Sequence, residues 1–235
     1  MSAWHLGRLA GFDLETTGID VEADRIVTAC VVQCGGGQPT ASASWLADPG
    51  IDIPEQAAAV HGVTTARARA EGKPAAEVVA DVLAALGQAV TGGIPIVAMN
   101  ARFDLTLLDR EARRHGLTPL PGGFPVTDPY VIDKRVDRYR KGSRKLVNLA
   151  AHYEVPMGEA HTADADALAA CRIAWRLGAR YPELAAASFA KLHEQQIGWA
   201  AEQATGLQEY LRRKDPNAVV RSEWPLIPHQ QDGDL

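Results

Sequence analysis

The sequence predicts an α/β fold in which a mixed sheet is covered by helices. Three strand-like segments follow one another near the start. Helical patterns then alternate with two short apolar strands, and beyond Tyr181-Pro182 the pattern becomes helical alone. The chain has 235 residues and 46% hydrophobic content, enough for one sizeable domain with an extension.

Residues 8–14 form the first strand, and β-branched, apolar residues 25–34 the second. Gly35-Gly36-Gly37 turns the chain into a third strand at 40–47, so these two make a hairpin. Pro49 to Pro54 is loop, 55–60 a short helix ending near His61-Gly62, and Pro74 suits the first turn of a helix over 75–90. That helix carries Val78, Val82, Leu83 and Leu86 at helical spacing and is broken by Gly92-Gly93. Residues 94–99 are a buried strand, 103–115 a helix, and 125–127 a brief strand before Asp128. Asp128 is better explained as a helix N-cap than as a partner of an active site. Helices follow at 130–136, 145–153 and 162–178, where Trp175 is expected in the core. Residues 183–212 read as one long helix or a helical pair, and 214–235 as an extended tail docked through Trp224 and Leu226.

A net charge of −5 argues against a generally basic nucleic-acid-coating protein but leaves room for local basic patches. Cys30, Cys34 and Cys171 are too few for a disulfide framework, contain no Cys-x-x-Cys pair, and read as apolar packing. The N-terminus lacks a signal-peptide pattern and no apolar run approaches a membrane span. A cytoplasmic protein with no membrane partner is expected.

Chemistry concentrates in three clusters. The string Gly11-Phe12-Asp13-Leu14-Glu15-Thr16-Thr17-Gly18 closes the first strand. Strand alternation puts Asp13 and Glu15 on one face, roughly 7 Å apart, behind Leu9 and Gly11. Ala10, Phe12 and Leu14 point the other way. Side by side, two carboxylates repel, and a hard divalent cation would remove the penalty. A charged strand end in solvent is the plain alternative. In the second cluster, Asp104 shares a helix face with Leu107, Leu108 and Ala112, which should pack on the sheet. A charge favouring the helix dipole competes as an explanation. In the third, Thr162 is the N-cap of a helix, His161 precedes it and Asp166 is the fourth helical residue. These are the two positions that pack together in a hydrophobic staple. Here they hold a proton acceptor and a potential ligand, whereas Asp164 reads as a surface charge. All three clusters lie at element ends, where a parallel sheet collects its active site.

This ordered set resembles the DEDDh exonucleases, the superfamily that includes the proofreading subunit of bacterial replicative DNA polymerase. The resemblance rests on Phe12-Asp13-Leu14-Glu15-Thr16-Thr17-Gly18, Asn100-Ala101-Arg102-Phe103-Asp104 and His161-Thr162-Ala163-Asp164-Ala165-Asp166-Ala167, and covers roughly residues 7–178. His61-Gly62-Val63-Thr64 is similar to a His-Gly-Ile-Thr loop of the same family. The resemblance implies a ribonuclease H-like, five-stranded mixed sheet flanked by helices. Residues 1–180 would be the exonuclease domain and 181–235 a C-terminal helical extension and tail.

It also implies two divalent metal ions, Mg²⁺ (or Mn²⁺), held by Asp13, Glu15, Asp104 and Asp166, with His161 as general base. Thr16 and Thr17 would cradle the terminal nucleotide near His61, and Phe103 would stack on it or wedge beside it. Within an acidic chain, residues 134–145 are strongly basic. Arg140 and Lys141 in this stretch would track phosphates, a solvated charged face being the alternative.

The expected activity is 3′→5′ removal of nucleotides as 5′-monophosphates, from single-stranded DNA foremost. An RNA or oligoribonucleotide exonuclease is the alternative, although the similar oligoribonucleases carry Met at the Thr16 position and Trp-Ile at Gly11-Phe12. A proofreading subunit would add a DNA polymerase partner, and the helical stripe of the extension would otherwise pack on the core or make a homodimer.

Overall fold

The structure is a computed structural model that describes residues 3–158 and 162–229. A six-stranded sheet has the order β4-β3-β2-β1-β5-β6. Strands β1 (Arg8–Thr16), β2 (Ile26–Gly35) and β3 (Ala41–Asp48) form an antiparallel meander. On the other side of β1, the short strands β5 (Ile96–Val97) and β6 (Val126–Thr127) run parallel to it and to each other. The mixed sheet was expected with five strands. The sixth, β4 (Lys73–Pro74), adds to the end of β3. It forms because Gly72 lets the chain pass against the Ala47–Asp48 backbone, where a Cβ would meet carbon and nitrogen atoms at 2.6 Å. A two-residue strand carries no alternation, so nothing in the local pattern announces it.

Helices α1 (Glu55–His61) and α2 (Thr65–Glu71) follow β3. The second of these falls between the expected elements and is started by Thr64, whose hydroxyl accepts the Arg67 N–H at 3.2 Å. Next come α3 (Ala75–Thr91), α4 (Ala101–Arg114), α5 (Pro129–Val136), α6 (Leu146–His152) and α7 (Ala163–Arg180). The expected long helix or pair after residue 182 is a pair. Helix α8 (Pro182–Ala185) ends before Ser188, whose hydroxyl caps α9 (Phe189–Arg212).

The alternation of β1 and β2 divides the interior in two. Leu9, Cys30, Val32 and Cys34 face α7, together with Leu149, Ile173, Leu177 and Leu192. Phe12, Leu14, Ala29 and Val31 face α3 and α4, with Val82, Leu86, Leu107 and Leu108. The three cysteines are buried thiols, as packing residues should be. Leu184 and Leu192 join the first core and Trp224 the second, so the C-terminal extension completes both. Trp175, expected in the core, is 41% exposed. The Ala170-Cys171 and Ala174 positions supply the buried stripe of α7, and Trp175 lies beside it with the Arg176 guanidinium over its ring. Among the described residues, no helix is long and apolar enough to cross a membrane.

Helix α7 lies directly on β1. A Cβ at Gly11 would come within 2.5 Å of the Ala167 carbonyl oxygen and 2.8 Å of Cys171 Sγ. Replacing Gly11 by Ala should therefore push the helix off the strand and destabilise the fold by about 2 kcal/mol. Thermal unfolding should record this as a fall in Tm of about 5 °C.

Candidate active site

The end of β1 supplies the first two acids. Asp13 pairs with Cys30 and Glu15 with Thr28 across the antiparallel ladder, and the register shifts between Glu15 and Thr16 as the strand ends. Both carboxylates are on the face that α7 covers. The start of α7 brings the third acid to them. Asp166 is its fourth residue after the Thr162 cap, and the Asp166 N–H donates to the Thr162 carbonyl at 3.0 Å. Ala163, Ala167 and Ala170 make the buried side of the helix small enough for this contact. Carboxylate oxygens of Asp13, Glu15 and Asp166 all lie within 4.8 Å of one another.

Asp104 arrives from the opposite side and is again the fourth residue of its helix. It is 4% exposed. Strand β5 pairs with β1 only at Ala10 and Gly11, so the Leu14 N–H extends beyond its neighbour. Asp104 Oδ1 accepts that N–H at 3.2 Å. Asn100, just before the helix, adopts the left-handed conformation (φ 61°, ψ 47°). This turns the chain from β5 into α4 within a few residues, and Asn tolerates it better than most side chains.

The acids disturb one another strongly. Burial raises the Asp13 carboxyl well above its usual range, and the charges of Asp104, Asp166 and Glu15 raise it further. Glu15 is pushed up to about 7 by burial and then by Asp166. Burial also raises Asp104 well above normal, against the lowering effect of hydrogen bonds from its own backbone and that of Leu14. Gathering like charges in a partly desolvated cleft carries a Coulombic cost that a bound cation removes. The donors are all carboxylate oxygens, the ligand chemistry of hard divalent cations. The residues present therefore fit a metal centre, with Asp13, Glu15 and Asp166 at its heart and Asp104 beside them.

The other expected residues fall into distinct places. His161 lies outside the described residues. Thr16 donates its hydroxyl to the Gly18 carbonyl at 2.6 Å. Thr17 is 2% exposed; its hydroxyl donates to Asp24 at 2.7 Å and accepts the Arg25 N–H at 3.0 Å. This ties down the turn after β1. His61 ends α1, where its Nδ1 accepts the Val63 N–H at 3.2 Å. Burial lowers its pKa, and a hydrogen bond with the Thr16 backbone opposes that shift. His61 and Val63 form one wall of an open groove of about 310 Å³, with Thr28 and Leu46 among its other lining residues and Thr162 and Asp164 at the start of α7. Phe103 is partly buried at the edge of the second core.

The basic stretch divides. Asp133 is fully buried and accepts from Arg140 at 3.0 Å, Arg144 at 2.7 Å and the Tyr153 hydroxyl at 2.8 Å. Arg140 is thus an internal tie, while Arg138, Lys141 and Lys145 are exposed.

Asp128 does more than its sequence position announces. It caps α5 as expected, accepting the Tyr130 N–H at 2.9 Å. The same carboxylate accepts the Asn100 and Ala101 N–H groups at 3.0 Å and the Trp224 indole N–H at 3.2 Å. The residue type and its place after a strand reveal the cap; the other partners are remote in sequence.

Comparison with known proteins identifies the family. The chain is 30% identical over 156 residues to the PolC-type DNA polymerase III of Lacticaseibacillus paracasei, a span of 66% of this chain and 10% of the polymerase. Its fold is similar to that of Escherichia coli exonuclease I in the zinc-bound complex with single-stranded DNA. The TM-score is 0.65 at 20% identity, covering 76% of this chain and 42% of that one. The complex of E. coli exonuclease I with a dT13 oligonucleotide gives a TM-score of 0.66 at the same identity and coverage. The chain thus spans about a tenth of the polymerase and less than half of exonuclease I. The exonuclease family RNase_T matches residues 10–174, more than half of the chain. The chain belongs to the RNase_T family of exonucleases.

Proposed function

We propose that this chain is a metal-dependent 3′→5′ exonuclease that removes 5′-monophosphates from single-stranded nucleic acid, DNA foremost. The observation that carries the reading is the convergence of Asp13, Glu15 and Asp166 oxygens within 4.8 Å. Together with Asp104, these residues would hold two Mg²⁺ or Mn²⁺ ions. Such ions, when bound, activate water and offset charge on the attacking and leaving oxygens. His161, one residue before Thr162, takes the proton of the attacking water, since imidazole titrates near neutrality. Thr16, Thr17, His61 and Phe103 surround the terminal nucleotide: Thr17 by shaping the turn, His61 by walling the groove, Phe103 by stacking or wedging. Residues 1–180 are the catalytic unit and 181–235 an extension that braces it.

Lys141, with exposed Arg138 and Lys145, tracks phosphates, and Arg140 holds the loop in place through Asp133. The single-stranded DNA in the E. coli exonuclease I complexes supports this class of substrate. The likeness to a PolC-type DNA polymerase III favours a second reading, in which the chain proofreads beside a polymerase. Co-purification with a polymerase distinguishes the two.

Asp13→Ala and Asp166→Ala should each abolish Mg²⁺-dependent digestion of a 3′-end oligonucleotide while circular dichroism stays native. Digestion at the wild-type rate by either variant would remove the assignment.

The metal-free protein should also show the strain of the cluster. Because Glu15 in the fold holds its proton up to about pH 7, against 4.5 for an ordinary glutamate, the native state binds more protons than the unfolded chain between these values. Stability in EDTA should therefore rise as pH is lowered from 7 toward 4.5. Glu15→Gln should flatten this pH dependence of Tm, and an unaltered profile would contradict the cause given.

Charge reversal separates the two roles in the basic stretch. Lys141→Glu should leave Tm unchanged and lower the log–log salt slope of oligonucleotide binding by about 1. Arg140→Glu should cost more than about 1 kcal/mol of stability by leaving Asp133 poorly paired.

A further inference from the structure

Helix α4 carries Asp104, and one side of it is strapped by the C-terminal tail. Arg102, Thr106 and Arg110 are spaced by four residues and so form a single stripe. Arg102 donates to the Arg221 carbonyl. Thr106 Oγ1 accepts the Ile227 N–H at 3.0 Å. Arg110 donates to the carbonyls of Ile227 at 3.1 Å and Pro228 at 3.3 Å. Between these contacts Trp224 turns inward, 7% exposed, against the His193 ring at 5.2 Å.

The Trp224 indole N–H donates to Asp128 Oδ2, the same oxygen that accepts the Ala101 N–H in the first turn of α4. Helix α9 reaches the same place. Its fully buried Gln196 accepts the Asp128 N–H at 2.7 Å and donates to the Val126 carbonyl at 2.9 Å. All of these extension residues lie beyond residue 174, where the match to the exonuclease family ends.

We propose that residues 221–228 are a positioning strap: through Trp224 and Asp128 they fix the first turn of α4, and with it the placement of Asp104 in the acid cluster. The inference rests on the reading of Asp104 as a metal-site residue. Without the indole, the Asp128 carboxylate holds three backbone donors, Asn100 and Tyr130 on Oδ1 but Ala101 alone on Oδ2, which leaves rotational slack on the side that faces α4. The indole bond on one of its oxygens removes it, and the three anchors along α4 keep the helix from sliding. Groups that orient a ligand from outside its own contacts change metal affinity by 10–100-fold when lost.

The test uses the full chain with Trp224→Phe, which keeps an aromatic ring and removes the N–H, and Thr106→Val, which loosens the strap at a second anchor. Three quantities are measured: hydrogen exchange of residues 100–106 in metal-free protein, Mn²⁺ affinity by calorimetry without nucleic acid, and kcat and KM on a single-stranded oligonucleotide. Both variants should stay folded, with exchange faster in the first turn of α4 than across β1 and β2. Mn²⁺ affinity should fall about tenfold. The kcat value should fall with KM near wild type.

Unchanged local exchange and Mn²⁺ affinity in both variants would overturn the proposal. So would a uniform rise in exchange with Mn²⁺ affinity intact, which is what a purely stabilising tail produces. A wild-type chain that neither binds Mn²⁺ nor digests would instead overturn the function proposed above. In that case the exchange data still read the hold of the strap on α4 by themselves.

Discussion

The close seating of α7 on β1 is the constraint on which the site depends. With a Cβ at Gly11 facing a backbone carbonyl at 2.5 Å, only glycine allows the helix to lie so near the strand. The alanines on that side of α7 do the same from the other partner. This contact brings Asp166 to the carboxylates of Asp13 and Glu15. A larger residue in the seam would separate the acids as well as loosen the core, because the same few ångströms serve both.

Bringing acids together opposes folding, and the surroundings show how the opposition is met. The apolar face of β1, with Phe12 and Leu14 buried against α3 and α4, anchors the strand from behind. Hydrophobic burial on both faces of the sheet opposes this repulsion. Asp104 gains the Leu14 N–H, a donor left over because β5 is short. The acids remain perturbed despite this, with Glu15 pushed to about 7. A bound cation would relieve this repulsion.

A second organising centre is a pair of buried carboxyl groups used for architecture. Asp128 and Asp133 are almost wholly inaccessible, and both are surrounded by donors. Asp128 gathers the starts of α4 and α5 and the tail, whereas Asp133 gathers two arginines and a tyrosine. Satisfied in this way, buried carboxylates specify one arrangement of loops that apolar contacts alone would leave adjustable. Asp128 steadies the first turn of α4, which carries Asp104, and Asp133 steadies the basic stretch.

By itself, the sequence determined whatever depends on short-range periodicity. Strand alternation put Asp13 and Glu15 on one face with Gly11. Helix starts put Asp104 and Asp166 each in a first turn, and three strands followed by helices interleaved with two short apolar strands specified the mixed sheet. Tertiary structure decided what depends on partners far along the chain. Asp128 and Trp224 are 96 residues apart, so the cap was legible and the strap was not. Arg140 read as a phosphate-tracking cation, but its pairing with the buried Asp133 depends on the fold, and Trp175 had core spacing but lies to one side of the buried stripe. The sixth strand and α2 escaped for a related reason. Helix α2 alternates alanine with arginine over residues 66–70 and so shows no helical stripe, and β4, only two residues long, exists because a neighbouring strand offers it an edge.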